Sequence, residues 1–499
     1  MKKQKIEVIF AGAELAPLVK VGGLGDVMGS LPIALSKLGV EVKVFIPFYG
    51  SINRRKFGAK LVKKNIQIEM ECSPHKFDLY QSKLPGSQVK VFLVKHKMFD
   101  MKNVYVGNRK YFEKGKYSSK KGCYSRGHDD VERFVFFSKA VVETIKTMKW
   151  KPNVVHAHDW HAALIPTFID EYSLENKNFD NIKSLYTIHN LANQGITSLD
   201  IVDYAGLHQN LTPALMEDYH DQDGLKIDSM KVGILSADLV NTVSPNYAKE
   251  ILTKEYGAGL EKYLQRRQKH LHGILNGIDL KLFDPAKDKN IKKKYSLKNF
   301  EIGKKINKEE LQKLSKLPVE DKPLLGLISR LVWQKGLDIL LPALETLLKK
   351  YDFQVVVLGT GQKKFEKGFQ DLVKQYPNKV TANITFSLPL AQKIYAGSDF
   401  FLIPSRFEPC GLGQMISMRY GTPPIARATG GLKDTVENNK TGVVFKKYTQ
   451  KEMKSAIERS LRIYKNKAKM NKMIRVAMKK DFSWDSSAKD YLKLYKKLS

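Results

Sequence analysis

Short apolar runs alternate with helix-period segments along almost the whole chain, and this alternation sets the expected architecture. Continuous apolar runs bounded by turn residues predict buried strands. They fall at 7–10, 41–45, 89–94, 154–157, 184–188 and 239–243 in the first half. In the second half they fall at 324–329, 354–358, 383–386, 400–403 and 424–426. Between them lie segments with apolar residues at helical spacing, such as 26–38 (DVMGSLPIALSKL). Strand–helix–strand alternation is the mark of a parallel sheet with crossover helices, and each half has the length of one doubly wound domain. The fold class is therefore α/β. The first domain is placed at 1–247, just past Ser244-Pro245, and the second at 248–480. Residues 481–499 (DFSWDSSAKDYLKLYKKLS) read as a capped terminal helix outside the second sheet pattern. The most polar stretch, 287–322, predicts a surface helix pair.

Length agrees with this division, because 499 residues exceed what one core accommodates. Hydrophobic content of 42% and charged content of 27% are those of a soluble globular protein. No apolar stretch reaches bilayer-spanning length. The basic start, MKKQK, runs through Glu7 and Glu14 straight into a glycine loop, unlike a cleaved signal peptide. Cys72, Cys123 and Cys410 lie far apart, with neither metal-ligand spacing nor a disulfide framework, which points to a reducing cytoplasm. The charge changes the picture most: 85 basic against 51 acidic residues leave +34. The lysines are scattered, as at 292–294 and 349–350, without a basic tail or an RNP-like aromatic string. Nucleic acid is therefore not an expected partner.

The candidate chemistry begins at Lys20 to Asp26, KVGGLGD, between the first strand and a helix. Gly22, Gly23 and Gly25 let backbone N–H groups approach a ligand, the helix N-terminus favours an anion, and Lys20 adds a full charge. A phosphate or diphosphate suits such a loop; a tight turn with a solvated lysine is the plainer alternative. In doubly wound folds ligands sit at strand carboxyl ends, and polar clusters recur there. HAHDWH (156–161) follows one strand, and His189-Asn190 ends another. HAHDWH superficially resembles a metal cluster, but no second carboxylate cluster follows it. Asp159 or His158 hydrogen-bonding a polar ligand, with Trp160 packed beneath, is the more modest reading, and His189 is either a core histidine or a ligand contact. In the second half Arg330 and Lys335 suit a leaving diphosphate. Gly361 lies in a glycine turn, Glu408 suits a sugar hydroxyl, and Thr429-Gly430-Gly431-Leu432 forms another glycine turn into a helix. One cleft between two such sheets would receive both sets.

KVGGLGD, HAHDWHAAL, TIHNLANQG, NGID, SRLVWQKGLD, PSRFEPCGLGQ and ATGGLKDTV, in this order, closely resemble bacterial glycogen synthase and plant starch synthase. The resemblance covers nearly the whole chain. It implies the GT-B architecture: two Rossmann-like domains facing a central cleft, an acceptor-side domain with the lysine-glycine loop and a donor-side domain. The terminal helix would return to the N-terminal domain. It further implies retaining transfer of glucose from ADP-glucose to the non-reducing end of an α-1,4-glucan, releasing ADP. The nucleotide sugar is then a substrate, and neither cofactor nor metal is needed. By the same resemblance Lys20, with the backbone at Gly22 and Gly23, approaches the donor's phosphates and glucose. Asp159 and His189 line the glucose side, with His189 near the reacting carbon, and Asn190 is a donor-binding residue. Arg330 and Lys335 hold the diphosphate, Glu408 contacts glucose hydroxyls, the Cys410, Gly411 and Leu412 backbone positions the sugar, and Gly361, Thr429, Gly430 and Gly431 lie near the nucleotide.

Several positions depart from the family pattern. Val21 and Gly413 stand where threonine is common, Ile416 replaces a glutamate of related transferases, and Phe99 occupies an aromatic position often filled by tyrosine. UDP-glucose as donor, another acceptor such as a lipid or small sugar, and a non-catalytic glucan binder are the competing readings. An NAD-dependent enzyme does not fit, because KVGGLGD lacks GxGxxG spacing.

Overall fold

The computed structural model describes residues 5–70, 73–106, 119–120, 123–124, 130–198, 200–207 and 226–499. They form two compact units, one from 1–243, 248–274 and 484–499, the other from 244–247 and 275–483.

The first unit contains β1 (Glu7–Ala11), β2 (Glu41–Pro47), β3 (Lys60–Met70), β4 (Ser73–Lys83), β5 (Lys90–Lys95), β6 (Ser119–Lys120) and β7 (Cys123–Tyr124). It continues with β8 (Val154–His158), β9 (Lys183–Ile188), β10 (Ile196–Ser198), β11 (Lys226–Asp228), β12 (Leu239–Thr242) and β13 (Leu271–Gly273). Nine strands make one sheet in the order β13-β12-β9-β8-β1-β2-β5-β4-β3. From β13 to β5 neighbours are parallel, whereas β4 and β3 are antiparallel additions at one edge. β6–β7 and β10–β11 are small antiparallel ribbons. Central β1 is apolar without alternation, as a parallel strand buried on both faces requires, and Val8, Ile9 and Phe10 are fully buried. The β3–β4 hairpin is absent from the expected strands, and the reason is physical. The first six residues of β3 are exposed, and its lysines and Asn65 mark a guarded sheet edge, not an apolar run.

The division between units differs from a break at 247. Residues 248–274 stay with the first unit because β13 extends its sheet, with Ile274 N donating to Thr242 O at 2.9 Å. Residues 244–247 belong to the second, where Ser244 Oγ donates to Pro409 O and Asn246 N to Asp434 Oδ2, both at 2.8 Å.

The terminal helix, Trp484–Leu498, is part of the first unit. Its buried Trp484, Ala488, Tyr491 and Tyr495 recur at helical spacing and lie beside the helix Gly23–Lys37. The tyrosine hydroxyls enter a buried polar chain. Tyr495 Oη meets His156 Nδ1 at 2.8 Å, and His156 Nε2 meets Thr187 Oγ1 at 2.7 Å. Asn241 Nδ2 donates to Thr187 Oγ1 at 3.3 Å and to Tyr491 Oη at 3.1 Å.

The second unit contains β14 (Leu324–Ile328), β15 (Gln354–Leu358), β16 (Val380–Asn383), β17 (Phe400–Ile403), β18 (Pro424–Arg427) and β19 (Val443–Phe445). All are parallel, in the order β16-β15-β14-β17-β18-β19. β16 lies before the expected 383–386 run, because Val380 to Asn383 pair with β15 while Phe386 beyond them is 89% exposed. The 287–322 stretch forms one helix, Phe300–Leu314, not a pair. Asn307 on that helix accepts from Lys293 N at 3.2 Å and donates to Lys293 O at 2.7 Å, which holds the preceding segment in turns. Among the described residues no helix is long and apolar enough to cross a membrane.

Tyr495→Phe removes the partner of a fully buried imidazole nitrogen. A cost of about 1–3 kcal/mol is expected, read as a lower urea-unfolding midpoint. An unchanged midpoint would show that the hydroxyl adds nothing to stability.

Candidate functional site

In the first unit β1, β8 and β9 are adjacent and parallel, so the loops after them emerge at one sheet edge. The loop after β1 runs through Glu14 and Lys20 to the helix Gly23–Lys37, whose N-cap is Gly22. Lys20 Nζ donates to Asp26 Oδ1 at 2.7 Å. The amides of Val21 and Gly22 both donate to Glu14 Oε2 at 2.7 Å, so the Gly22 N–H already has a protein acceptor. Gly23 is the first helical residue, and a Cβ there would stand in open space.

Asp159 follows β8 with φ of 55°, an uncommon conformation for a residue with a side chain and a mark of local strain. Its buried carboxylate accepts from His189 N at 2.7 Å and Asn190 N at 3.4 Å, tying the loop after β8 to the loop after β9. Burial raises its pKa to about 7 despite these two amide hydrogen bonds, which act in the opposite direction. His189 Nε2 lies 2.9 Å from His158 Nδ1, and Asn190 Oδ1 accepts from Ala192 N at 3.1 Å. Burial holds His189 and His161 down at about 3, and His156 and His158 well below the ordinary imidazole value. The four rings are neutral near pH 7. Both nitrogens of His156 and Nδ1 of His158 are engaged by protein groups, so this part of HAHDWH serves the buried network.

In the second unit the loops after β14, β15, β17 and β18 likewise share one edge. Lys335 Nζ donates to Glu408 Oε1 at 2.9 Å and Oε2 at 2.6 Å, and Ser405 Oγ donates to Oε2 at 2.8 Å. Arg330 is exposed and has no side-chain partner among the described residues. Gly361 N donates to Glu366 Oε1 at 2.8 Å. Cys410 is buried, which pushes its thiol up to about 12 and keeps it protonated. Gly411 (φ 75°) and Leu412 lead into the helix Gly413–Arg419, and Gln414 Nε2 bonds Cys410 O at 3.0 Å and Gly411 O at 2.9 Å. Thr429, Gly430 and Gly431 pass directly against the Glu408 loop. A Cβ at Gly430 would stand 1.9 Å from Glu408 O, so no other residue fits without moving that loop. Lys335, Glu408, Ser405 and the 411–414 turn line one pocket.

With this geometry established, the comparisons with known proteins are specific. Residues 7–266 match the starch synthase catalytic domain, and 308–479 match glycosyl transferases group 1. The chain is 42% identical to a glycogen synthase of Thermotoga petrophila over 504 residues, covering 99% of each. It is also 42% identical to a glycogen synthase of Thermosipho africanus, again over 99% of each. Among solved structures, the catalytic domain of Arabidopsis thaliana starch synthase IV, bound to ADP and acarbose, matches with a TM-score of 0.85. That match has 32% identity and covers 99% of both chains. The chain belongs to the glycogen and starch synthase family. Its two doubly wound units are the GT-B glycosyltransferase fold, as the sequence resemblance implied.

Against the family pattern, Phe99 is fully buried and packs edge-on to Tyr49, so it is a core residue without a ligand-facing surface. Sequence reasoning missed three features. Glu14 is a buried charge inside an otherwise apolar run, AGAELAPL, and that anomaly was its signal. Phe386 is an exposed aromatic just beyond β16, inside a run that reads as strand. Arg406 is stacked between Trp333 at 3.9 Å and Tyr448 at 4.1 Å and pairs with Asp338 at 3.0 Å, contacts between distant segments that no local pattern announces.

Asp159 generates a pH prediction with a definite sign. Its folded pKa of about 7 lies above the ordinary 3.8, so the unfolded chain ionises first as pH rises. The stability it contributes is whole below about pH 4, falls from there to about pH 7, and then levels off. Asp159→Asn keeps an acceptor oxygen but cannot titrate. The wild-type-minus-variant stability should therefore decline by a few kcal/mol at most between about pH 4 and 8, measured by urea unfolding at each pH. Parallel curves would contradict the raised pKa.

Proposed function

We propose that the chain transfers glucose from ADP-glucose to the non-reducing end of an α-1,4-glucan, with retention at the anomeric carbon and release of ADP. The observation that carries this reading is the Lys335–Glu408–Ser405 cluster between the β14 and β17 loops, with Arg330 exposed nearby in sequence. A diphosphate leaving group needs cations, and a pyranose needs a held carboxylate for its hydroxyls; the cluster supplies both kinds. The glycogen synthase relatives and the ADP bound to the starch synthase IV neighbour support the same assignment.

In this reading Arg330 and Lys335 stabilise charge on the departing diphosphate, while the glucose carbon becomes oxocarbenium-like. Both candidate carboxylates are engaged by protein groups: Glu408 is held by Lys335 and Ser405, and Asp159 accepts from two amides. The Cys410 thiol is protonated and buried. A same-face reaction, in which a diphosphate oxygen takes the proton of the incoming hydroxyl, then needs no protein nucleophile. His189, neutral through burial, offers hydrogen bonding without a competing cation near the electron-poor carbon. Lys20 approaches the phosphates by exchanging its Asp26 contact. Phe386 offers an open ring at the end of the β16 region for stacking, which every base tolerates. The choice between ADP-glucose and UDP-glucose therefore rests on contacts beyond stacking.

The direct test mixes the purified chain with a glycogen primer and either nucleotide sugar, following diphosphate release and chain extension together. Extension with ADP-glucose is expected; preference for UDP-glucose would keep the reaction and overturn the donor assignment. Release without extension would overturn the acceptor. Lys335→Ala should lower kcat by about 10²–10³, the usual scale for removing one charge-stabilising donor, while circular dichroism stays native. A folded variant with unchanged kcat would remove Lys335 from this role.

A further inference from the structure

The loop ahead of the helix Gly23–Lys37 has the makeup of an anion cradle, yet its amides are already occupied. Glu14 Oε2 accepts from Val21 N and Gly22 N at 2.7 Å each, and Glu14 Oε1 accepts from Tyr105 Oη at 3.1 Å. Glu14 is 3% exposed, so protein carboxylate fills the place where a helix N-terminus would draw an anion from solution. The surrounding backbone is built to this contact. Leu15 and Val19 exchange hydrogen bonds at 2.9 Å in both directions, and Ala16 N donates to Gly25 O at 3.0 Å. A Cβ at position 25 would stand 3.2 Å from Glu14 Oε2 and 3.1 Å from Lys20 Cγ, which wedges a side chain between clamp and lysine.

We propose that Glu14 is a positioning residue, a carboxylate clamp that holds the glycine loop in one conformation and thereby aims Lys20 at the donor's phosphates. The proposal rests on the glucosyl-transfer reading above. The physical need is plain. A lysine carried by a segment with glycine at 22, 23 and 25 would sample many backbone states, and ordering it on each encounter costs conformational entropy. Charge-assisted hydrogen bonds to consecutive amides set that order in advance. Tyr105 sets the rotation of the carboxylate by holding its second oxygen. Because the Val21 and Gly22 amides are satisfied by Glu14, the loop's contribution to the phosphates is the lysine, with those two N–H groups serving the loop itself.

Steady-state kinetics on Glu14→Ala, Glu14→Gln, Lys20→Ala and the Glu14→Ala/Lys20→Ala double variant tests this. Glu14→Ala should lower kcat/KM about 10²-fold, the scale of a misplaced binding group. Glu14→Gln should recover most of that loss, because its amide oxygen still accepts from both N–H groups and its NH₂ can donate to Tyr105. The double variant should be no worse than Lys20→Ala, since both act through one lysine. Wild-type kcat/KM in Glu14→Ala, or losses that multiply in the double variant, overturns the proposal. If Glu14→Ala does not fold, Tyr105→Phe removes the hydroxyl contact alone and should cost several-fold in kcat/KM; no change there overturns it as well. Hydrogen exchange of the peptide spanning 19–25 reads the clamp without turnover. Faster exchange in Glu14→Ala, restored in Glu14→Gln, supports it, and unchanged exchange overturns it. Absence of turnover by the wild-type chain would instead sink the glucosyl-transfer reading while exchange still decided the clamp.

Discussion

A parallel sheet returns every strand's carboxyl end to the same edge, and the chemistry of this chain hangs on that constraint. In the first unit the strand order turns around between β1 and β8, and in the second between β14 and β17. At such a point successive crossovers leave toward opposite faces and open a crevice between neighbouring loops. The Glu14–Gly25 loop and the Asp159 loop flank the first reversal, and the Lys335 and Glu408 loops flank the second. These loops then hold one another: Asp159 accepts from the amides after β9, and Lys335 after β14 bonds Glu408 after β17.

Burial decides what the polar groups at these edges can do. The imidazoles of His156, His158 and His189 are driven to their neutral forms by loss of water, so they act as hydrogen-bonding plates and not as charges. Their neutrality makes the array tolerable, since charged rings with centroids 4.0 Å apart, as those of His156 and His158 are, would repel strongly. The terminal helix completes the array. Tyr495 Oη engages His156, and Tyr491 Oη accepts from Asn241 Nδ2, so a segment far away in sequence extends the polar chain behind the β8 and β9 loops.

The α/β class, ten of the eleven expected strand positions and the loops bearing Lys20, Asp159, His189, Arg330, Lys335 and Glu408 were legible because buried parallel strands leave long apolar runs with polar groups at their ends. What escaped was whatever such runs do not encode. The β3–β4 hairpin is an exposed edge, polar by necessity. β13 joins its sheet with only three half-buried residues, which moved the division between units. The 383–386 run misled because Ile384 and Phe386 are apolar without being part of the ladder. At the site, residue types were readable and their pairings were not. Nothing local says that Lys20 meets Asp26, that Lys335 meets Glu408, or that Glu14 takes two amides.

Those pairings bear on how the proposed donor would bind. The ammonium of Lys20 and that of Lys335 each rest on a carboxylate, and the first amides of the glycine loop rest on another. Among the site cations described, Arg330 alone stands without a partner. In the proposed reaction, binding a diphosphate is then an exchange of anions at the two lysines, with the Glu14 contacts to the amides kept, more than the filling of an empty positive pocket. The net gain is the difference between two charge-assisted contacts, smaller than either alone. On that proposal, the site would favour a ligand whose two phosphates and sugar replace several internal contacts together over a simple anion that replaces one. A net charge of +34 spread over the chain does not distinguish one polyanion from another. Selectivity is left to the exchange itself. Lys335 illustrates why: releasing its ammonium to a phosphate leaves the Glu408 carboxylate with Ser405 as its remaining bonded partner, and hydroxyl donors of a sugar in the same ligand are the groups that restore what it lost.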